Sequence, residues 1–372
     1  MTRAVAYFGT YDPAYPRNAV LIAGLRELGV SVLEFRTPLP ALTVAQIATP
    51  RGAVRLAAGV LEAHARLLVQ HRRRLRIDAV VVGYPGHFLV PFGRVLAAFR
   101  RTRLVFDPLV SLWDTFAGDR GLVAAGSWKA TAVRTVDRAA FVVPSLVLAD
   151  TWAHAAYYEA EFGLPRGKLA VVPVGALPAT PATGGARPLE HGEPATVFQY
   201  GKWSPLHGAE TVLAAAELLR AEPFRFVLAG EGQLSGVLRA EIARRGLANV
   251  EWLGALSPAE LRSQALAADI CLGVFGGSAK AARVIPNKVY DALACGRPVV
   301  TAGTPGAREL LHDGEDALLV PAADGDALAA ALRRLLDLDE RGRLGAAALA
   351  LYRRALTPPL IAGGLLAALE TT

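Results

Sequence analysis

The sequence predicts an α/β protein made of two doubly wound parallel-sheet domains in series. Two observations carry this. Short β-rich runs alternate with longer helical patterns along most of the chain, the pattern of a parallel sheet covered on both faces. One stretch rich in Pro, Gly and Thr, Gly175 to Pro194, interrupts the alternation before it restarts, as a linker or hinge does. The 372 residues suffice for two domains of ordinary size.

Taken in order, Arg3–Phe8 reads as a strand turning at Gly9-Thr10, Asn18–Leu28 as a helix closed by Gly29, and Val30–Phe35 as a second strand. Asp78–Val82 and Arg103–Phe106 are buried-type strands, and Ala139–Val143 and Leu169–Val172 repeat the theme. Beyond the linker come strands at Thr196–Tyr200, Arg225–Leu228, Val250–Leu253, Ile270–Val274, Pro298–Thr301 and Leu318–Val320. Helices over Ala209–Arg220, Ser235–Arg245, Pro258–Ala267, Asn287–Ala294 and Asp326–Asp337 separate them. The boundaries this implies are 1–180, a linker at 181–195, 196–352, and a C-terminal helix over 353–372.

Composition narrows the function. At 53% hydrophobic and 20% charged residues, disorder and fibrous repeats are excluded. No apolar run reaches the roughly 18–20 residues of a bilayer span. The N-terminus reads as a strand without a signal-peptide core. Two cysteines, Cys271 and Cys295, are too few for a disulfide framework, so a cytoplasmic location is expected.

The net charge is +7, from forty Lys and Arg against thirty-three Asp and Glu. Residues 51–103 hold eleven of the arginines against one Glu and one Asp. Within 51–76, apolar positions 54, 57, 58, 61, 65 and 68 form one helical stripe. A basic amphipathic helix of this kind suits an anionic membrane surface, and equally an ordinary solvated helix. Nucleic acid would prefer interleaved aromatics, and 53–83 has none.

Lysine is scarce: five stand at 129, 168, 202, 280 and 288, and three of these fall in two short loops. In the first, a strand ends at Gly201-Lys202, with His207-Gly208 five residues on. Gly201 permits a sharp turn, and Lys202 with a protonated or donor His207 could grip a diphosphate. A surface lysine and a capping histidine would look the same. In the second, Gly276-Gly277-Ser278-Ala279-Lys280 leads through Arg283 to Pro286-Asn287-Lys288 and a helix carrying Asp291. Lys280, Arg283 and Lys288 suit phosphate oxygens and Asp291 suits ribose hydroxyls, although Lys288–Asp291 could also be a local ion pair.

At these residues the sequence resembles the GT-B glycosyltransferases of family 4, retaining enzymes that use nucleotide-sugars. The resemblance covers nearly the whole chain and is strongest over 196–322. Gly201-Lys202-Trp203-Ser204-Pro205-Leu206-His207-Gly208 stands where family members carry Gly-Arg-Leu-x-x-x-Lys-Gly. Asp291-Ala292-Leu293-Ala294-Cys295-Gly296-Arg297-Pro298-Val299-Val300 matches the second half of the family's Glu-x7-Glu signature, with Asp for the second Glu and Arg283 where the first would fall.

The resemblance implies two Rossmann-like domains facing a cleft, the first binding the acceptor and the second a UDP- or GDP-sugar, with no metal or other cofactor. Asp324-Gly325-Asp326 is accordingly read as a helix cap. The resemblance places Lys202, His207 and Lys288 on the leaving diphosphate. Gly9, Gly201, Gly230, Leu253, Lys280, Arg283, Asn287 and Asp291 complete the donor site. Asp107 is expected near the transferred sugar, and Thr10, His87 and Asp114 on the acceptor side. The C-terminal helix would pack back toward the first domain. The expected reaction moves a sugar to a hydroxyl of a glycan or lipid-linked acceptor, with retention. A nucleotide-sugar epimerase and a catalytically weak sugar-nucleotide binder are the rivals. A nicotinamide dehydrogenase is disfavoured because Gly230-Glu231-Gly232 lacks the third glycine, having Ser235 instead.

Overall fold

Runs of valine, alanine and phenylalanine form strands buried on both faces, which is why they lack polar–apolar alternation. In the computed structural model, which describes residues 4–37, 76–124, 126–179, 187–190 and 192–371 with 51, 52, 54, 55, 58, 59, 61, 62 and 65, these strands build two six-stranded sheets. The first has β1 (Ala4–Gly9), β2 (Ser31–Arg36), β3 (Ala79–Val82), β4 (Arg103–Phe106), β5 (Leu146–Ala149) and β6 (Leu169–Val171) in the order β2-β1-β3-β4-β5-β6. The second has β7 (Ala195–Tyr200), β8 (Phe224–Ala229), β9 (Val250–Gly254), β10 (Ile270–Leu272), β11 (Val299–Ala302) and β12 (Leu318–Val320) in the order β12-β11-β10-β7-β8-β9. Every ladder pairing is parallel.

Strand order reverses between β1 and β3 in the first sheet and between β7 and β10 in the second. Loops beyond the carboxyl ends at such switch points flank a crevice where ligands bind. Both lysine-bearing loops, after β7 and after β10, lie at one of these points.

The predicted strand at Ala139–Val143 is a correction. These residues end helix α3 (Trp128–Val142), and the strand follows at β5. Asp137, Ala140 and Phe141 are the buried residues of that turn, a helical spacing that a short apolar run conceals. Of the predicted linker, 181–186 and 191 lie outside the described residues, as do 53, 56, 57, 60, 63, 64 and 66–75 of the basic stretch.

The C-terminal segment is broken by Pro358 and Pro359 into α10 (Leu338–Ala355) and α11 (Pro358–Thr371), proline being suited to a helix start. Helix α11 crosses α1 (Pro16–Glu27) closely enough that a Cβ on Gly24 would overlap the Pro358 carbonyl. Arg103 also donates to the Leu369 carbonyl. Ala176 N donates to Leu356 O, and one apolar core runs from β1 through this crossing into the second sheet.

Candidate active site at the cleft

The loop after β7 is built from backbone upward. Ser204 N donates to His207 Nδ1 at 3.2 Å, within a capping box that closes the turn. Trp203 is fully buried and its Nε1 donates to Gly230 O at 3.0 Å. Gly230, at φ +112°, packs so closely that a Cβ would overlap Gly201 O. The glycine loop after β8 and the turn after β7 therefore form one rigid wall.

His207 is buried, and burial together with the nearby Lys288 charge pushes its pKa well below the usual imidazole value. Of the protonated or donor ring expected, the structure has the neutral donor. Its Nδ1 accepts from Ser204, which leaves the proton on Nε2 as a donor.

Lys288 is the second residue of α8 (Asn287–Ala294) and only 6% exposed. Among the described residues its Nζ has no hydrogen-bond partner. It lies 5.9 Å from the Tyr200 ring centre and 6.0 Å from that of Trp203. Burial lowers its pKa to about 7, because nothing replaces the water an ammonium loses on entering the protein. A Cβ on Gly201 would overlap His207 Nε2 and lie 3.2 Å from Lys288 Nζ. Two nitrogen donors therefore converge on a glycine backbone, an arrangement suited to an oxyanion.

The first domain supplies the opposite wall. Arg283 Nη2 pairs with Asp114 Oδ1 at 2.6 Å, and its guanidinium lies 4.1 Å from the Tyr157 ring centre. Lys280 Nζ donates to Thr115 Oγ1 at 2.7 Å, and Thr151 donates to Arg283 O. Glu309 accepts from Trp152 N and Ala153 N at the start of helix α4 (Trp152–Phe162). Gln233 Nε2 donates to Arg120 O at 3.2 Å.

Residues 194–338 match the family model described as glycosyl transferases group 1. That match makes residues 194–338 similar to a group 1 glycosyltransferase domain. Among solved structures, sucrose-phosphate synthase from Thermosynechococcus elongatus is 16% identical with a TM-score of 0.73, covering 100% of this chain and 99% of its own. HepE from Anabaena, solved in complex with UDP-glucose, is 16% identical with a TM-score of 0.67 and covers 100% of both chains. A glycosyltransferase from Rickettsia africae is 12% identical with a TM-score of 0.67, covering 99% of this chain and 98% of its own. These likenesses show the fold, GT-B. No curated protein matches the chain by sequence.

Within the matched region, Lys202 is exposed. Leu253 is half-buried at the end of β9 and packs on the core. Asn287 faces the Tyr15 hydroxyl across the cleft. Asp291, expected to face a ribose, is half-buried and accepts from the Tyr200 hydroxyl. Lys280 and Arg283, expected on phosphate, reach the first domain instead.

Asp107, expected near the transferred sugar, is held in an ion pair. Arg17 Nε binds its two oxygens at 2.8 and 3.0 Å, and both side chains are 1% exposed. His87, expected on the acceptor side, is buried with Nε2 2.9 Å from Val110 O, and burial lowers its pKa. Thr10 Oγ1 donates to Pro85 O at 2.8 Å. Gly9 sits at φ +128°, a backbone conformation that requires glycine. Asp324 Oδ1 accepts from Ala327 N at 2.8 Å, capping helix α9 (Gly325–Arg334). Sequence reasoning missed Tyr157, Thr151 and Glu309, whose partners lie more than a hundred residues away in the chain.

Proposed function

We propose that the chain transfers a sugar from a UDP- or GDP-sugar to a hydroxyl acceptor with retention of configuration, the donor diphosphate lying over Gly201 between Lys288 and His207. The buried Lys288 ammonium, without a hydrogen-bond partner among the described residues, carries this reading. An anion arriving there supplies the missing partner and restores the charged lysine. As the glycosidic C–O bond breaks, negative charge grows on the diphosphate, and fixed donors stabilise that charge most where water is excluded. His207 contributes a neutral Nε2–H donor, and exposed Lys202 a screened point charge at the mouth. The acceptor hydroxyl then attacks on the face the diphosphate leaves and gives its proton to the departing phosphate oxygen, with no covalent glycosyl-enzyme, while Asp107 stays paired with Arg17. HepE, a structural neighbour, is solved with UDP-glucose, which makes UDP-sugars the first donors to try. No metal or other cofactor takes part in this scheme.

Thermal stabilisation by UDP, GDP and their sugar conjugates tests the reading. A shift with sugar nucleotides that Lys288→Ala abolishes supports it. No shift with any of them contradicts it. Consumption of donor without an acceptor would favour the epimerase alternative, and binding without transfer to any acceptor extract would favour a binding protein.

The acceptor side is proposed to face an anionic membrane surface through residues 51–76. Val54 and Leu61 are 68% and 70% exposed. Together with exposed Ala58 and Ala65 they repeat at helical spacing, beside exposed Arg51 and Arg55. Among the described residues no helix is long and apolar enough to cross a membrane. Co-sedimentation with anionic vesicles at low salt is expected, and failure to sediment removes this placement.

A further inference from the structure

The cleft holds a second set of buried polar groups that the diphosphate reading leaves unused. Asp114 is 7% exposed, and its Oδ1 is held by Arg283 while its Oδ2 has no partner among the described residues. Asp119 is 8% exposed with Oδ1 unpartnered, and the Nε atoms of Arg120 and Arg283 are likewise without partners. Orphaned acceptors and donors thus stand together, at a place where a lone buried polar group ordinarily costs stability.

Position relates this cluster to the diphosphate cradle. Asp119 lies against the Leu206 amide, next to His207, and Arg120 is near enough to His207 to depress its protonation. Arg283 stands five residues before Lys288, at the start of the segment that enters α8. The group that continues from a diphosphate at Lys288 and His207 in a nucleotide-sugar is the sugar. Sugar hydroxyls both donate and accept, so they can satisfy carboxylate and guanidinium atoms together. Lys280 lies near Asp114, Asp119, Arg120 and Arg283, so three cations face two carboxylates, and a cluster this close to balanced suits a neutral polyol better than a second anion. Arg283 is itself fixed, by its contact with the Tyr157 ring and by Thr151 on its carbonyl.

We propose that Asp114, oriented by Arg283, reads the hydroxyls of the transferred sugar and sets which sugar is accepted. Asp114 is the group that touches the sugar, and Arg283 is a positioning residue. This rests on the proposed donor site. An alternative role for the same contacts is purely to hold the domains together.

The test is calorimetric titration of wild type and Asp114→Asn with UDP, GDP, UDP-glucose, UDP-galactose, UDP-N-acetylglucosamine and GDP-mannose. For the sugar nucleotide that wild type binds most tightly, Asp114→Asn should lose at least about tenfold in affinity, with the free nucleotide unchanged within about twofold. Discrimination between UDP-glucose and UDP-galactose should shrink to within about twofold. Arg283→Lys, which keeps the charge but loses the planar fork, should give the same pattern in weaker form. Equal losses for nucleotide and sugar nucleotide would assign the pair to domain closure alone and overturn the proposal, as would no loss. If wild type binds the free nucleotides but the variants leave the sugar preference intact, only the sugar reading fails. If wild type binds none of the probes, the donor site and this inference fail together. Should Asp114→Asn not fold, Asp114→Glu, which keeps the carboxylate but displaces it by one methylene, is judged by the same ratios.

Discussion

Lys288 Nζ and His207 Nε2 meet over Gly201, so that a Cβ there would overlap the imidazole and lie 3.2 Å from the ammonium. One nitrogen is charged only at a cost, and the other is kept neutral by burial first and by the nearby lysine second. Anion binding reverses that cost, and proton linkage makes the reversal measurable.

Free Lys288 titrates near pH 7 in the folded chain. A bound diphosphate should raise that value, so binding of a sugar nucleotide, whose diphosphate diester does not titrate near neutral pH, takes up about one proton at pH 8 and almost none at pH 6. Titrations in buffers of different ionisation enthalpy give this number directly. Lys288→Met should abolish the uptake. The sign for stability is the converse. Between pH 7 and the ordinary lysine range the unfolded chain holds a proton that the folded chain has shed, so stability without nucleotide rises with pH there. Lys288→Met should flatten that rise, as read by chemical denaturation across the pH range.

Gly201→Ala places a methyl where the phosphate oxygens are proposed to lie, against His207 and Lys288. Loss of nucleotide affinity by at least tenfold is expected, about 1.4 kcal/mol or more, with circular dichroism showing the fold retained. Unchanged affinity would move the diphosphate elsewhere.

Arg17 and Asp107 form a buried pair, with Arg17 Nη1 also donating to Val172 O and Pro173 O at 2.7 Å each. Removing one partner strands a buried charge, and about 3–5 kcal/mol of stability should be lost in Asp107→Ala. Whatever fraction stays folded should bind nucleotide normally. Weakened binding by folded Asp107→Ala would return Asp107 to the site.

Helix α11 ties the end of the chain to α1, and Gly24 sits at the crossing. Gly24→Val should lower the melting temperature by several degrees, from overpacking of about 1–3 kcal/mol. No change in melting would show the crossing to be loose.

Much of this architecture is legible in the sequence because its causes are local. Valine-rich runs between helical patterns give the strands, and glycines with scarce lysines mark the two loops that meet at the second switch point. Lys288, His207 and Gly201 fall in those two loops, whereas Gly230 follows β8 and is reached only through the family resemblance. What local pattern cannot show is pairing at long range. Arg283 and Asp114 are 169 residues apart and Arg17 and Asp107 are 90 apart, so Asp107 looks exposed at a strand end while its partner waits in α1. The protonation of His207 is equally invisible, since it depends on burial and on Lys288. Ala139–Val143 failed for a different reason: five apolar residues fit a strand and a helix end alike.

Titration of UDP and GDP into wild type and Lys288→Met at pH 7 tests the central claim most directly. Specific binding by wild type, weakened about a hundredfold or more in a folded Lys288→Met, is the predicted result. Equal affinity in the two proteins would contradict the assignment of the buried ammonium to the donor diphosphate.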